Sequence, residues 1–293
     1  MRNIKGIISF FLLFLTFTAA VHADDDHTIN IHVWGYIQPF FDTETSNFAI
    51  KRTRVFVTGD YKSFRYKVEM GRELQKAEVG FKFAKQFEFI FGQQNNSFKL
   101  YLPSPHERHV VNDPFALVPY GQYNAIGATL EGRHNWLEWH YSLLNGTGIN
   151  KRDDNQDKDS VVWIKLHPWD MMNFSLCWQG GWQDTPDRYY RSGEWIQAEW
   201  KADKFTFIST WIRRNDLDRQ GWFIKCYYDL SKADKLIIQY TERQFNQEIL
   251  LGAALFRFKE TLKLIPNLVL TRDNLGKYHF TVYAMLQVAI NRD

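Results

Sequence analysis

The stretch YHFTVYAMLQVAI, at residues 278–290, contains the pattern that decides the fold. Every second residue in it is apolar or aromatic, and the residues between are mixed and mostly more polar. A period of two over this length predicts one long β-strand with two different faces. Strands of globular proteins usually have about 5–6 residues, whereas about 9–11 residues cross a bilayer obliquely. The stretch therefore favours a transmembrane strand.

The same alternation recurs along the chain and predicts about sixteen strands, with fourteen as the alternative count. The connections between them segregate by length. Residues 61–63, 133–135 and 203–204 are short joints, whereas 95–123 and 145–159 are long ones. Outer-membrane barrels have short periplasmic turns, longer extracellular loops and an even number of strands. Because lipid cannot hydrogen-bond an open sheet edge, we expect an all-β, closed antiparallel transmembrane β-barrel with a water-filled lumen.

Residues 1–23 have the layout of a secretory signal peptide. Arg2 and Lys5 give a positive start, an apolar run follows, and small or medium residues stand before residue 24. The alternative, an N-terminal anchor helix, fits less well because a membrane span needs about 20 apolar residues. We therefore expect export through a cleaved signal peptide, followed by a single outer-membrane β-barrel domain at residues 24–293.

The composition agrees with a barrel and argues against several other classes. Aromatic residues make up 17% of the chain, with 11 Trp, 14 Tyr and 24 Phe, as the aromatic girdles of a barrel would require. The formal net charge of +3 from 36 basic and 33 acidic residues is too balanced to indicate a nucleic-acid partner. Cys177 and Cys226 alternate to opposite faces, which favours two free thiols over a disulfide.

Short motifs between residues 33 and 150 carry a family resemblance. They are GYIQ at 35–38, FAIKRTRVFVTG at 48–59, FGQ at 91–93, AIGATLEG at 125–132 and LNGTG at 144–148. In this order and spacing they resemble the phosphate-selective porin O and P family of Gram-negative outer-membrane proteins. The resemblance implies a porin without a cofactor that passes small solutes or anions such as phosphate, and it is compatible with a homotrimer. The chain departs from the family in its short length and in its non-aromatic end, Asn291-Arg292-Asp293.

Alternation also sorts the charged residues by face. An Arg or Lys that faces lipid at mid-bilayer costs about 2–4 kcal/mol, so the charged face should line the lumen. Arg52, Arg54, Arg65 and Lys67 are close together on neighbouring strands, and such a cluster would form a basic ladder along the inner wall that favours small anions. The alternative is that the cations pair with carboxylates and stiffen the wall. The predicted pore-lining residues are Arg52, Arg54, Arg65, Lys67, Glu69, Lys82, Glu138, His140, Lys165 and His167.

The long connection at residues 95–123 is a candidate constriction loop. It mixes basic residues with more apolar residues than a loop bathed in water would need. Folded into the lumen, the apolar residues could pack while the charged ones narrow the pore. The alternative is that it covers the outer rim or contacts another subunit. The charged residues concerned are Lys99, His106, Glu107, Arg108 and His109.

Two other function classes stay open at this point. His140 and Ser142 share a strand face, as in barrel phospholipases whose histidine activates a serine. Here the pair is predicted to face inward, whereas an enzyme that cleaves lipid needs it outward. The other class is an adhesive or structural barrel whose outer loops bind a partner. We expect a non-enzymatic porin of the bacterial outer membrane, with no catalytic residues, metal or cofactor. Its partners would be outer-membrane lipid, lipopolysaccharide and small solutes or anions, which it passes with a mild anion preference.

Overall fold

The structure of the chain is a computed structural model. It describes residues 30–42, 47–96, 98, 124–145, 157–183, 189–215, 219–231, 234–243, 246–257 and 261–290. The segment interpreted as a signal peptide, residues 1–23, lies outside these ranges. Within them, no helix has the length and apolar character needed to cross a membrane.

The described residues form sixteen β-strands. Each strand pairs antiparallel with its sequence neighbours, and β1 also pairs with β16, which closes the sheet into a barrel. The predicted closed antiparallel barrel of about sixteen strands is therefore confirmed. The strands are β1 (Asn30–Asp42), β2 (Asn47–Tyr61), β3 (Phe64–Met70), β4 (Leu74–Ala84), β5 (Phe87–Asn95), β6 (Asn124–His134), β7 (Leu137–Leu144), β8 (Asp159–Trp169), β9 (Met172–Gln183), β10 (Tyr189–Ala202), β11 (Phe205–Arg214), β12 (Arg219–Asp229), β13 (Lys235–Arg243), β14 (Asn246–Arg257), β15 (Leu262–Arg272) and β16 (Tyr278–Ile290).

The two faces of the wall differ in exposure. On β13, Ile238 is 57% exposed, whereas its neighbours Ile237 and Gln239 are 1% and 0% exposed. The same alternation leaves large apolar side chains exposed around the outside of the barrel. A soluble protein rarely exposes so much contiguous apolar surface, so the outer face fits contact with lipid.

Aromatic side chains gather at both ends of the outer face. One group lies near the short connections and the other near the long ones, as the two aromatic girdles of a membrane barrel do. Exposed members of the first group are Phe64, Phe81, Phe83, Phe87, Trp136, Trp169, Trp200 and Phe205. Exposed members of the second group are Phe48, Trp182, Tyr190, Tyr278 and Phe280.

The short connections are tight turns. Lys62, Asn135 and Asp203 adopt positive φ angles of 54°, 40° and 47°, the left-handed backbone that two-residue hairpin turns require. The connection from β3 to β4, at the end of the barrel where the long connections lie, is also tight: Gly71 N donates to Glu73 O at 3.0 Å. As a result β3 ends at Met70, whereas the alternation of the sequence predicts a strand over residues 64–74.

The connection from β15 to β16 is organised by one carboxylate outside the strands. Asp273 Oδ1 accepts hydrogen bonds from the backbone N–H groups of Leu275 and Lys277, each at 2.9 Å, and Oδ2 lies 3.1 Å from His279 Nε2. The imidazole, followed by these N–H groups, lowers the pKa of the Asp273 carboxyl below its ordinary value. Gly276 takes a φ of 78° to complete the turn.

The outward face of β13 offers a test of lipid contact. Ile238→Arg is expected to reduce the free energy of unfolding in lipid vesicles by about 2–4 kcal/mol, because the new charge would face the middle of the apolar band. Tyr278→Arg, at the end of the outer face, is the control and should cost about 0–1 kcal/mol. Denaturant unfolding in vesicles measures both, and equal losses would contradict a lipid-facing band.

Candidate functional site: the inner wall of the barrel

The structure places all ten of the predicted pore-lining residues on the inner face. The strand register shows this directly, since Arg54 lies opposite the inner-face residue Tyr36 and His140 lies opposite Trp163. Lys67 lies opposite Glu78, and Glu138 lies opposite Lys165. That these side chains line a path for solutes stays a prediction.

One ion-pair network occupies the inner wall near the short connections. Arg65 contacts Glu88 and lies 3.3 Å from Glu131 Oε1, and His140 Nε2 lies 3.6 Å from Glu131 Oε2. Beside it, Glu138 Oε1 lies 3.1 Å from Arg133 Nη2 and 3.3 Å from His167 Nε2. These side chains surround much of a cavity of about 410 Å³. Arg65 is therefore matched by carboxylates rather than left as a bare cation.

The other three basic residues of the predicted cluster have separate surroundings. Arg54 Nε lies 3.6 Å from Glu69 Oε1, whereas Arg52 Nη1 lies 3.5 Å from the neutral amide oxygen of Gln38. Lys67 lies opposite Glu78. The four residues Arg52, Arg54, Arg65 and Lys67 therefore do not form one continuous basic ladder.

A β-bulge adds a cation that alternation misses. Gln38 lies opposite Arg52 and Pro39 opposite Ile50, so Lys51 is the extra residue of β2. A bulge disturbs the strict alternation of faces. The ammonium of Lys51 lies 5.3 Å from the centre of the Phe40 ring, which packs against inner-face side chains. Lys51 therefore joins Arg52 on the inner wall. Pro39, which cannot donate to the ladder, is the sequence signal for this irregularity.

Much of the inner wall from β8 to β16 is apolar, which the sequence did not predict. Strands such as β10 carry bulky apolar residues on both faces, for example Trp195 inside and Ile196 outside, so polarity alone does not separate the faces. The charged part of the inner wall lies mainly on β2 to β8. Buried inner-face members of the apolar part are Val161, Trp163, Cys177, Trp195, Ile212, Phe223, Tyr227, Ile237, Leu250, Ile265, Val269 and Met285.

The chain enters the barrel directly after β5. Phe98 is 1% exposed and packs within a cluster of inner-face residues on β6 to β12. Its carbonyl oxygen accepts a hydrogen bond of 2.7 Å from Trp195 Nε1, and its N–H donates to Asn96 Oδ1 at 2.9 Å. The ring lies close over Gly193, where a Cβ would stand 3.0 Å from Phe98 Cζ.

A buried polar chain ties Asn96 to the wall. Asn96 Nδ2 donates to Gln179 Oε1 at 3.1 Å, and Gln179 Nε2 donates to Asp159 Oδ2 at 2.7 Å. Asp159, which is 2% exposed, also contacts the guanidinium of Arg191. The described start of the 95–123 connection is thus fixed inside the barrel.

The charged residues predicted to form the constriction are Lys99, His106, Glu107, Arg108 and His109. They lie outside the described residues, so their role stays a prediction.

The His140 and Ser142 pair faces the bore and not the lipid side. Ser142 is 0% exposed, and its Oγ accepts a hydrogen bond of 2.7 Å from Thr129 Oγ1. The His140 ring packs 4.5 Å from the Trp163 ring. This geometry does not present a nucleophile to membrane lipid. Among the described residues, no group of three His, Cys, Asp or Glu side chains is arranged to hold a metal ion.

The two cysteines are free and face opposite sides of the wall. Cys177 is buried in the inner-face cluster that receives Phe98, whereas Cys226 lies on the outer face of β12. In the wild type, Cys177 should therefore resist a water-soluble thiol reagent. Phe98→Ala is expected to expose Cys177 and speed its labelling at least about tenfold, because the covering ring is gone.

Mass spectrometry of the peptides that contain Cys177 and Cys226 measures this labelling. Cys226 serves as the internal control, because its surroundings are unchanged by the substitution. If Cys177 in the wild type reacted as fast as it does in Phe98→Ala, Phe98 would not cover it.

Comparison with known proteins places the fold among solved outer-membrane barrels. No protein-family model and no curated protein matches the chain. A loop L8 deletion mutant of OmpT, an outer membrane protein of Vibrio cholerae, matches with a TM-score of 0.69 and 12% identity, over 91% of this chain and 100% of that one. An anion-selective porin from Comamonas acidovorans matches with a TM-score of 0.66 and 9% identity, over 90% and 100%. The outer membrane channel DcaP of Acinetobacter baumannii matches with a TM-score of 0.63 and 11% identity, over 89% and 97%. At these identities the likeness concerns the fold.

Proposed function

We propose that this protein is a porin of the bacterial outer membrane, through which small hydrophilic solutes diffuse down their gradients. The observation that carries the proposal is a closed barrel of sixteen strands with an apolar outer face and a charged sector on its inner wall. Barrels of this strand number leave an aqueous channel along the axis. Solved structures with this fold include a porin and a channel.

The inner wall supports a mild preference for anions. Lys51, Arg52, Arg54 and Lys76 lie on β2 and β4, and Glu69 is the carboxylate within 4 Å of the last two. Rings or clusters of Lys and Arg lower the barrier for anions. The paired charges around Arg65 contribute less, because neighbouring carboxylates compensate them. Phosphate is one anion that the family resemblance suggests.

The connection after β5 is proposed to narrow the pore. Its start is held on the inner wall by Trp195 and Gln179. From there, Lys99, His106, Glu107, Arg108 and His109 would add charge at the narrowest part. Export by a cleaved signal peptide, assembly as a homotrimer, contact with lipopolysaccharide and the absence of enzymatic activity belong to the same proposal. An adhesive role would instead depend on the outer loops.

Liposome swelling tests solute diffusion directly. Vesicles that contain the purified protein should swell in isosmotic arabinose and more slowly in a trisaccharide, because a water-filled bore sorts neutral solutes by size. Protein-free vesicles and vesicles with heat-unfolded protein are the controls. Incorporated barrels that admit no sugar would overturn the proposal.

A further inference from the structure

We propose that the cavity on the inner wall near the short connections binds a sugar acid, that is, a polyhydroxylated solute with one carboxylate. The proposal rests on the proposed function, because the ligand would reach the cavity along the bore. The cavity has a volume of about 410 Å³, which is within the usual range of small-molecule sites. Its lining has two parts. The lysine side consists of Lys82 and Lys85, and the network side consists of Glu131, Glu138 and His140.

The lysine side supplies two ammonium groups that no carboxylate of the protein neutralises. Lys82 is on β4, and Lys85 is in the connection from β4 to β5. Glu88 lies opposite Lys82 in the ladder, but its carboxylate contacts Arg65. Among the described residues, no carboxylate forms an ion pair with either lysine. A carboxylate of a solute suits this side, since its oxygens accept charge-assisted hydrogen bonds from ammonium groups.

Arg65 crosses the wall between the two sides. It starts on β3, and its guanidinium contacts Glu88 on β5 and lies 3.3 Å from Glu131 Oε1 on β6. Gly80 on β4 permits this crossing, because a Cβ at its position would stand 2.7 Å from Arg65 Nε. The lining as a whole holds four Lys or Arg side chains and three carboxylates. Its charge therefore does not repel an anion that enters on the lysine side.

The network side suits hydroxyl groups better than a second charged group. Glu131 Oε2 lies 3.6 Å from His140 Nε2, and Glu138 Oε1 lies 3.1 Å from Arg133 Nη2. The Glu131 and Glu138 side chains are 26% and 21% exposed, so they remain accessible from the cavity. A hydroxyl both donates and accepts hydrogen bonds, so it can bind to a carboxylate and to the cation beside it. A charged group of the ligand would instead have to displace an existing partner.

A sugar acid would use both sides at once. Lys82, Glu88, Glu131 and His140 lie opposite one another on four successive strands. Two strand spacings, about 10 Å at the backbone, thus separate Lys82 from Glu131. A carboxylate held by the lysines would place the hydroxyl-bearing part of the solute toward the network side. An inorganic anion would use the lysines alone, and a neutral sugar would leave them without a carboxylate.

Glucuronate, glucose, acetate and inorganic phosphate are the probes, each added to a KCl bath during single-channel recording. Glucuronate is expected to interrupt the current at about tenfold lower concentration than glucose or acetate, because only glucuronate engages both sides. Glucuronate block no tighter than acetate block or than glucose block would overturn the proposed ligand class. Phosphate block tighter than glucuronate block would also overturn it.

A matched pair of double variants separates the lysine side from the general field of the bore. Lys82→Gln with Lys85→Gln should abolish the advantage of glucuronate over glucose and leave the glucose block within about twofold. Lys201→Gln with Lys204→Gln removes the same charge from the hairpin of β10 and β11, where Lys201 Nζ lies 2.9 Å from Glu199 Oε1. This control should leave the glucuronate block within about twofold. Equal effects of the two double variants would overturn the site.

Glu138→Leu tests the network side, because it removes a hydrogen-bond acceptor and a negative charge together. Loss of the acceptor should weaken the block by glucose and by glucuronate about tenfold. Acetate has no hydroxyl group, so its block should stay unchanged or become tighter as the negative charge is lost. Sugar block that is as strong in Glu138→Leu as in the wild type would overturn recognition of hydroxyl groups.

Calorimetric titration of glucuronate into the detergent-solubilised protein tests the site without any current. Binding that Lys82→Gln with Lys85→Gln weakens about tenfold supports the site even where no channel opens. In that case the proposed function fails and the site stands. A channel that conducts normally while glucuronate neither binds nor blocks it would overturn the site alone.

Discussion

Replacing both Arg52 and Arg54 by glutamate is expected to shift the permeability ratio of the channel toward cations by about tenfold or more. The double swap changes the wall by four charges on a strand that also carries Lys51, and Lys76 shares the Glu69 carboxylate with Arg54. Unit charges a few ångströms apart near a protein surface interact by several kcal/mol, about 4 kcal/mol at 4 Å. The reversal potential in a KCl gradient measures the ratio.

Each arginine should contribute to the shift. Arg54 lies beside Glu69 and Arg52 beside Gln38, so Arg52→Gln and Arg54→Gln alone should each move the reversal potential less than the double swap. Arg213→Glu is the control, because this exposed side chain lies on the outer face of β11 opposite Gln220. An unchanged reversal potential in the double variant would mean that Arg52 and Arg54 do not line the ion path.

Asp159→Ala is expected to reduce the free energy of unfolding by about 3–5 kcal/mol. The substitution leaves the guanidinium of Arg191, whose side chain is 11% exposed, without its carboxylate. Gln179 also loses the acceptor through which it holds Asn96. Denaturant unfolding in micelles, followed by tryptophan fluorescence, measures the loss.

A more exposed ion pair supplies the comparison. Asp229 contacts Lys235 at the turn end of β12 and β13, with side chains 36% and 24% exposed. Asp229→Ala should therefore cost about 1 kcal/mol or less. Replacing Asp159 and Arg191 together by leucine should recover much of the loss, because no unpaired buried charge remains. Equal losses for Asp159→Ala and Asp229→Ala would contradict a structural role for the buried pair.

The barrel itself was predictable from the sequence because strand alternation is a local property. In β16 the alternation of apolar and more polar residues indicates which face of the wall each side chain occupies. The lengths of the connections indicate at which end of the barrel each connection lies. Closure follows from the same pattern, since every strand needs two partners in lipid. The inner-face placement of His140 and Lys165 followed from the same rule.

The remaining features depend on breaks in the period or on contacts distant in sequence. The bulge at Lys51 and the early end of β3 at Met70 shift the phase of alternation, so Lys51 and Lys76 escaped prediction. Phe98 reaches its place through Trp195, a residue far along the chain. No local sequence pattern encodes such a contact. The apolar part of the inner wall was not predicted because its strands are apolar on both faces, so polarity does not distinguish the inner face from the outer one.

Single-channel recording of the purified mature protein in a planar bilayer tests the conducting bore most directly. We predict discrete, long-lived current steps in symmetrical KCl, with amplitudes proportional to voltage. A folded barrel that inserts into the bilayer and yet carries no current would contradict the claim that the barrel encloses a conducting bore.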